Sequence, residues 1–101
     1  MLEKEYVYLL KKRKEFGSDN GLNYLIKDYE NDIINKYKYY IHKMINKYKS
    51  NREDLYQAGI IGLFEGIRKF DFSKDVKILT YCHYTIIKNI NECDRLNSNV
   101  I

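Results

Sequence analysis

Hydrophobic positions along this chain recur at intervals of three and four, the spacing that places side chains on one face of an α-helix. From Leu2 to Phe16 they fall at 2, 6, 9, 10 and 16, around the cationic cluster Lys11-Lys12-Arg13-Lys14, and predict a first amphipathic helix. The segment GSDNG, Gly17 to Gly21, is the densest turn signal in the chain. A second helical run begins near Leu22 with Leu25, Ile26 and Tyr29, and either continues or breaks at Glu30-Asn31-Asp32. Positions 33, 34, 37, 41, 44, 45 and 48 then keep helical spacing up to Tyr48. Ser50 is the expected N-cap of the next helix, with Glu53 three residues on completing a capping box. That helix runs to about Phe70, and DFSKD (Asp71 to Asp75) is a turn. VKIL, 76 to 79, reads as extended or loop-like before a last helix capped by Thr80. The sum is an all-α fold, a compact bundle of four to five helices.

The helix from Asp54 to Phe70 carries Gly59, Gly62 and Gly66, three of the five glycines in the chain. Each costs roughly 1 kcal/mol against alanine inside a helix, so close packing against a neighbour must offset that loss. The three share a side with Leu55, Leu63, Ile67 and Phe70, and the expected neighbour is the preceding run, 33 to 48. Asp54, Gln57, Ile61, Phe64, Glu65 and Arg68 fall on the other side. Ile61 and Phe64 there either form part of a protein-binding surface or are covered by the first helix.

The last helix separates its faces more sharply. Leu79, Cys82, Ile86, Ile90 and Cys93 make a core stripe, and Tyr81, Tyr84, Lys88, Asn91 and Arg95 lie opposite, flanked by His83 and Thr85. Rings that stack on unpaired bases, cations that meet phosphates and amides that read base edges suit nucleic acid.

Composition changes this picture little. The 101 residues are enough for one domain with a modest core, and 45% apolar against 32% charged residues indicates a folded chain rather than a disordered one. The absence of proline agrees with helices. Eleven tyrosines accompany abundant Asn, Lys and Ile, a compositional habit that weakens tyrosine count as a functional sign. Net charge is +4, but from Lys36 to Arg52 six cations (Lys36, Lys38, Lys43, Lys47, Lys49, Arg52) occur without an acid. Such a stretch is either a solvated helix face or a surface for an anionic partner.

Cys82 and Cys93, with no second pair, imply free thiols in a reducing cytoplasm rather than a disulfide framework. With only His42 and His83 beside them, no metal site is expected, and no cofactor or phosphate-binding loop. No apolar run reaches the roughly 20 residues of a membrane span. No nucleophile–base set suggests an enzyme.

From Asp54 to Ile90 the chain reads DLYQAGIIGLFEGIRKFDFSKDVKILTYCHYTIIKNI, and it resembles region 2 of bacterial RNA polymerase sigma factors. The resemblance rests on the DL-x-Q-x-G-x-x-GL helix, the aromatic–acid turn, a lysine (Lys77) and Thr80-Tyr81 opening the last helix. It extends more loosely over LIKDYENDIINKYKYYIHK and covers roughly residues 24 to 96. Residues 1–23 then form an N-terminal helix and turn, and 97–101 a tail. The resemblance implies that Asp54, Gln57, Ile61 and Phe64 dock on the β′-subunit coiled coil of core RNA polymerase. It implies that Lys77, Thr80, Tyr81, Tyr84 and Thr85 meet the melted −10 promoter element, and that Lys88, Asn91 and Arg95 face its upstream edge. The ring stacking on the melted −11 base is Tyr84 or Tyr81. An anti-sigma factor is a further partner the resemblance allows.

Primary sigma factors carry aromatics where this chain has Val76, Ile78 and Thr85, so a specialised, alternative-type factor is implied. The family continues into a second domain that reads the −35 element; this chain is either a piece of a longer protein or a short one retaining a single module. Three functions therefore stand side by side: a transcription initiation module that contacts −10 DNA, a regulator that only occupies the polymerase, and a general DNA-binding helical protein.

Overall fold

Side-chain caps and one left-handed glycine set the helix boundaries in the computed structural model, which describes residues 1–98. Helix α1 spans Leu2–Phe16, α2 Asn20–Ile45, α3 Arg52–Lys69 and α4 Ile78–Ser98, with no strand among the described residues. Gly17 ends α1 at φ 82°, a conformation that disfavours a Cβ, and its N–H reaches Arg13 O at 2.9 Å. Asp19 starts α2: its Oδ1 accepts from Leu22 N at 2.7 Å.

Of the two alternatives at Glu30-Asn31-Asp32, the helix continues, because Ile26, Ile33 and Tyr37 keep one buried face in register across it. Other boundary expectations change. Asn51, not Ser50, caps α3, accepting from Asp54 N at 3.1 Å; the Ser50 hydroxyl instead donates to Asp94 on α4. Thr80 is not a cap either. Ile78 and Leu79 are already helical, and the Lys77 carbonyl accepts from Thr80 N and Tyr81 N at 3.1 and 3.4 Å. Tyr48 lies beyond the end of α2. Of the expected 97–101 tail, Asn97 and Ser98 continue α4 and residues 99–101 lie outside the described residues.

The chain forms two compact units, Met1–Tyr37 and the remainder from Lys38, with α2 contributing to both. In the first, α1 pairs antiparallel with the start of α2 around Tyr6, Ile26, Ile33 and Tyr37. At its centre sits Glu3, which is 0% exposed. One oxygen, Oε2, accepts from Lys36 Nζ at 2.7 Å and Tyr37 Oη at 2.6 Å. Tyr6 reaches Glu30 at 2.8 Å and Tyr29 reaches Glu5 at 2.6 Å, which pins the register of the pair. Burial pushes the Glu3 carboxyl up, but the bonds from Lys36 and Tyr37 outweigh it and hold the group below the ordinary glutamate value.

In the second unit, the last two turns of α2 pack with α3 and α4 around Ile41, Ile45, Leu55, Leu63, Ile67, Ile78, Cys82, Ile86 and Ile90. The glycine side of α3 faces mainly α4, not α2 as the pattern suggested. A methyl built on Gly62 would lie 2.5 Å from Thr85 O and 2.7 Å from Ile86 Cα. On Gly66 it would lie 2.5 Å from Thr85 Oγ1 and 3.1 Å from Cys82 Cα. Only Gly59 meets α2, at 2.6 Å from Ile41 Cγ2. The correction has a simple cause: periodicity shows which side of a helix is small, not which helix fills it.

Two outcomes follow for stability. Gly62→Ala should destabilise by on the order of 1–3 kcal/mol in urea denaturation, because its methyl meets backbone that cannot yield. Gly59→Ala, which meets only a side-chain methyl and regains about 1 kcal/mol of helix propensity, should cost clearly less. For Glu3, a depressed folded pKa gives stability that is present above the unfolded value and lost on acidification. Wild type should therefore lose more thermal stability than Glu3→Gln as pH falls through roughly 4 to 3, read by circular dichroism.

Candidate nucleic-acid interface

α4 is anchored on three sides, and what it leaves uncovered is the candidate interface. Cys82, Ile86 and Ile90 are buried, with Leu79 and Cys93 half-buried at the ends of the expected core stripe and Ile78 joining it. Toward α3, Thr85 Oγ1 donates to Gly62 O at 2.7 Å and Lys88 pairs with Glu65 at 3.5 Å, while Asn89 Nδ2 donates to Thr85 O of its own helix at 2.7 Å. Toward α2 and the turn after it, the Tyr40 hydroxyl hydrogen-bonds His83 Nδ1 and Tyr48 donates to Asn91 Oδ1.

Between these two edges, Thr80, Tyr81, Tyr84, Lys88, Asn91 and Arg95 are all exposed, with Lys77 just before the helix. Tyr84 is 71% exposed, its ring edge-on to His83 at 5.9 Å between centroids. Tyr81 is less free: Phe70 approaches its ring edge at 5.7 Å, and Phe72 packs on Phe70 at 4.9 Å. The turn carrying Phe72 is held by Asp71, which accepts from Ser73 N and Oγ at 3.0 and 2.6 Å; these bonds keep its carboxyl below the ordinary value. Thr85, expected to flank this face, does not join it. Its single hydroxyl proton is shared between Gly62 O and Cys82 O, the latter at 2.9 Å, so the hydroxyl turns inward.

The exposed groups are two rings, an amide whose carbonyl is already satisfied by Tyr48, and three cations, of which Lys88 is paired with Glu65 and Arg95 with Glu92. Rings, amides and cations are groups that can stack on bases, read base edges and meet phosphates. Sequence reasoning missed Tyr40 and Tyr48, whose hydroxyls orient His83 and Asn91. Tyr48 counts as part of the hydrophobic repeat and Tyr40 falls outside it, and nothing local says that they reach across to α4.

On the outer side of α3, Asp54 and Gln57 are exposed, Ile61 is 58% exposed and Phe64 is half-buried. Ile61 is therefore not covered by another helix. Glu65 on the same helix is tied to Lys69 as well as Lys88, and those cations keep its carboxyl below the ordinary value against the burial that would raise it. No helix is long and apolar enough to cross a membrane among the described residues, and no group of three or more His, Cys, Asp or Glu side chains there could hold a metal ion.

A glycine-faced helix locked onto a second helix leaves aromatic and basic residues exposed on the latter. Comparison with known proteins sharpens this. The Sigma-70 region 2 family matches residues 25–93. The RNA polymerase sigma-G factor of Clostridium acetobutylicum is 40% identical over 55 residues, 54% of this chain and 21% of that protein. The RNA polymerase sigma factor sigA of Arabidopsis thaliana is 42% identical over 48 residues, 48% of this chain and 10% of that protein. No solved structure matches. The chain belongs to the Sigma-70 region 2 family, and it spans about a fifth or less of the length of these curated relatives.

Thr85→Val tests the inward assignment. It should cost about 1 kcal/mol of stability through loss of the bond to Gly62 O. Tyr84→Ala, on the open face, should stay within about 0.5 kcal/mol of wild type in the same denaturation experiment.

Proposed function

We propose that this chain acts as a sigma-like transcription initiation module that binds core RNA polymerase and contacts the −10 promoter element. The observation that carries the reading is the exposed α4 stripe of Lys77, Thr80, Tyr81, Tyr84, Lys88, Asn91 and Arg95 in a member of the Sigma-70 region 2 family. In this reading Tyr84, the more exposed ring, stacks on an unpaired base, and Tyr81 lines the strand from its seat against Phe70. Thr80 and the exposed amide of Asn91 read base edges, while Lys77, Lys88 and Arg95 meet phosphates. Thr85 is left out because its hydroxyl serves α3.

Asp54, Gln57, Ile61 and Phe64 form the polymerase-docking side, taken to meet the β′-subunit coiled coil. An exposed isoleucine bracketed by an acid and an amide suits a partner helix of mixed apolar and basic character. A second reading, a regulator that occupies polymerase without opening promoters, draws support from the base-facing stripe holding only two rings. Stacking contributes about 1–3 kcal/mol per base, so a pair of rings gives limited capture of a melted strand.

The two readings separate in one experiment with the full chain, core polymerase and a promoter DNA carrying an unpaired AT-rich −10 segment. Gln57→Ala should weaken polymerase binding. Tyr84→Ala should leave polymerase binding intact and lower the amount of open DNA by roughly ten-fold or more. Promoter opening unaffected by Tyr84→Ala, or absent in wild type, would instead support the regulator.

A further inference from the structure

The cationic stretch of α2 is not absorbed by the α4 interface, and the structure sorts its members. Lys36 is committed to Glu3. Arg52 donates to Asn46 Oδ1 at 2.8 Å and lies 3.4 Å from His42 Nδ1, beside the His42–Tyr56 stack. Lys43 and Lys47, by contrast, are exposed and form no ion pair among the described residues; Lys47 only overlies the ring of Tyr48. Lys43 lies in the last turn of α2, and Lys47 in the turn just past its end at Ile45. Tyr39, 80% exposed, stands about 40° from Lys43 around the helix, with Lys38 over its ring.

This cationic strip borders the base-facing stripe. Tyr40 hydrogen-bonds His83, immediately before Tyr84, and on α2 Lys43 lies about 60° around the helix from Tyr40. Tyr48, next to Lys47, holds Asn91 of the stripe. Two unpaired ammonium groups thus flank the edge of α4 where its ring and amide are presented, on a helix without a carboxylate from 33 to 45. A polyanion lying along α4 would run past them.

We propose that Lys43 and Lys47, with Tyr39 beside them, form a second nucleic-acid contact that takes the sugar–phosphate backbone of DNA engaged by the α4 stripe. The proposal rests on the −10 contact advanced above. Two phosphate contacts at the end of α2 and the turn after it would add affinity that two rings alone do not supply, and the added part would be independent of base sequence.

The test measures binding of the polymerase complex with the full chain to promoter DNA carrying an unpaired AT-rich −10 segment, from 50 to 200 mM salt. Lys43→Gln/Lys47→Gln keeps helix propensity and removes two charges. Lys11→Gln/Lys14→Gln, on α1, removes the same charge as a control. Each lost phosphate contact lowers the slope of log affinity against log salt by about 0.7–0.9, so the α2 pair should flatten it by about 1.4–1.8. Between the two salt concentrations wild type should then lose about ten-fold more affinity than the α2 variant. The control should keep the wild-type slope.

An unchanged slope in the α2 variant, or an equal change in the control, overturns the proposal. Weaker polymerase binding by the α2 variant without DNA also overturns it, assigning the lysines to an acidic protein surface. Tyr84→Ala run in parallel separates the two levels. If it lowers affinity while the α2 pair does nothing, only the α2 contact fails; if neither has an effect, the −10 reading fails with it.

Discussion

Everything functional in the second unit depends on how closely α4 sits on α3. At Gly62 and Gly66 the two helices approach until a single added carbon would collide with the backbone or with Thr85 Oγ1. The Thr85 hydroxyl fastens the contact by donating to Gly62 O. The three glycines weaken α3 as an isolated helix by about 3 kcal/mol, and dispersion and burial across the contact offset that only when the helices are in register. Register matters because a displaced α4 would turn a different stripe outward.

With α4 seated, its side chains are sorted by what touches them. Cys82, Ile86 and Ile90 fill the core, Thr85 closes the α3 edge, and His83 and Asn91 take hydroxyls from Tyr40 and Tyr48. The rings between these edges stay exposed, as do the cations, with Lys88 paired to Glu65 and Arg95 to Glu92. α3 is sorted in the same way: its small residues are consumed inward, leaving Asp54, Gln57 and Ile61 facing out. One contact between two helices therefore separates two exposed surfaces, the α4 stripe proposed to face bases and the outer side of α3 proposed to face polymerase. The first unit is organised on a different principle, a buried carboxylate that collects Lys36 and Tyr37 and fixes α1 against α2.

Much of this was legible in the sequence. The spacing of Leu55, Leu63 and Ile67 identified the inner side of α3, and Tyr81, Tyr84, Lys88, Asn91 and Arg95 were placed correctly on the open side of α4. What escaped has a common cause: one-dimensional periodicity locates a face but not its occupant. It assigned the glycines to α2 rather than α4, left Thr85 on the outer side, and gave no sign that Glu3 is buried, since an acid near a chain start ordinarily stays in water. Ser50 and Asn51 are adjacent and chemically similar as caps. Only the pull of Asp94 on Ser50 decides between them.

The central claim is that α4 presents Tyr84 to an unpaired DNA strand while the chain is bound to polymerase. It is tested most directly by replacing Tyr84 with a photo-crosslinking phenylalanine analogue and irradiating the polymerase complex on promoter DNA with an unpaired −10 segment. The account predicts a crosslink from position 84 to the unpaired strand, and none from the same analogue at position 61, which should react with polymerase. A position-84 crosslink to polymerase alone, or to DNA only when fully duplex, would contradict it.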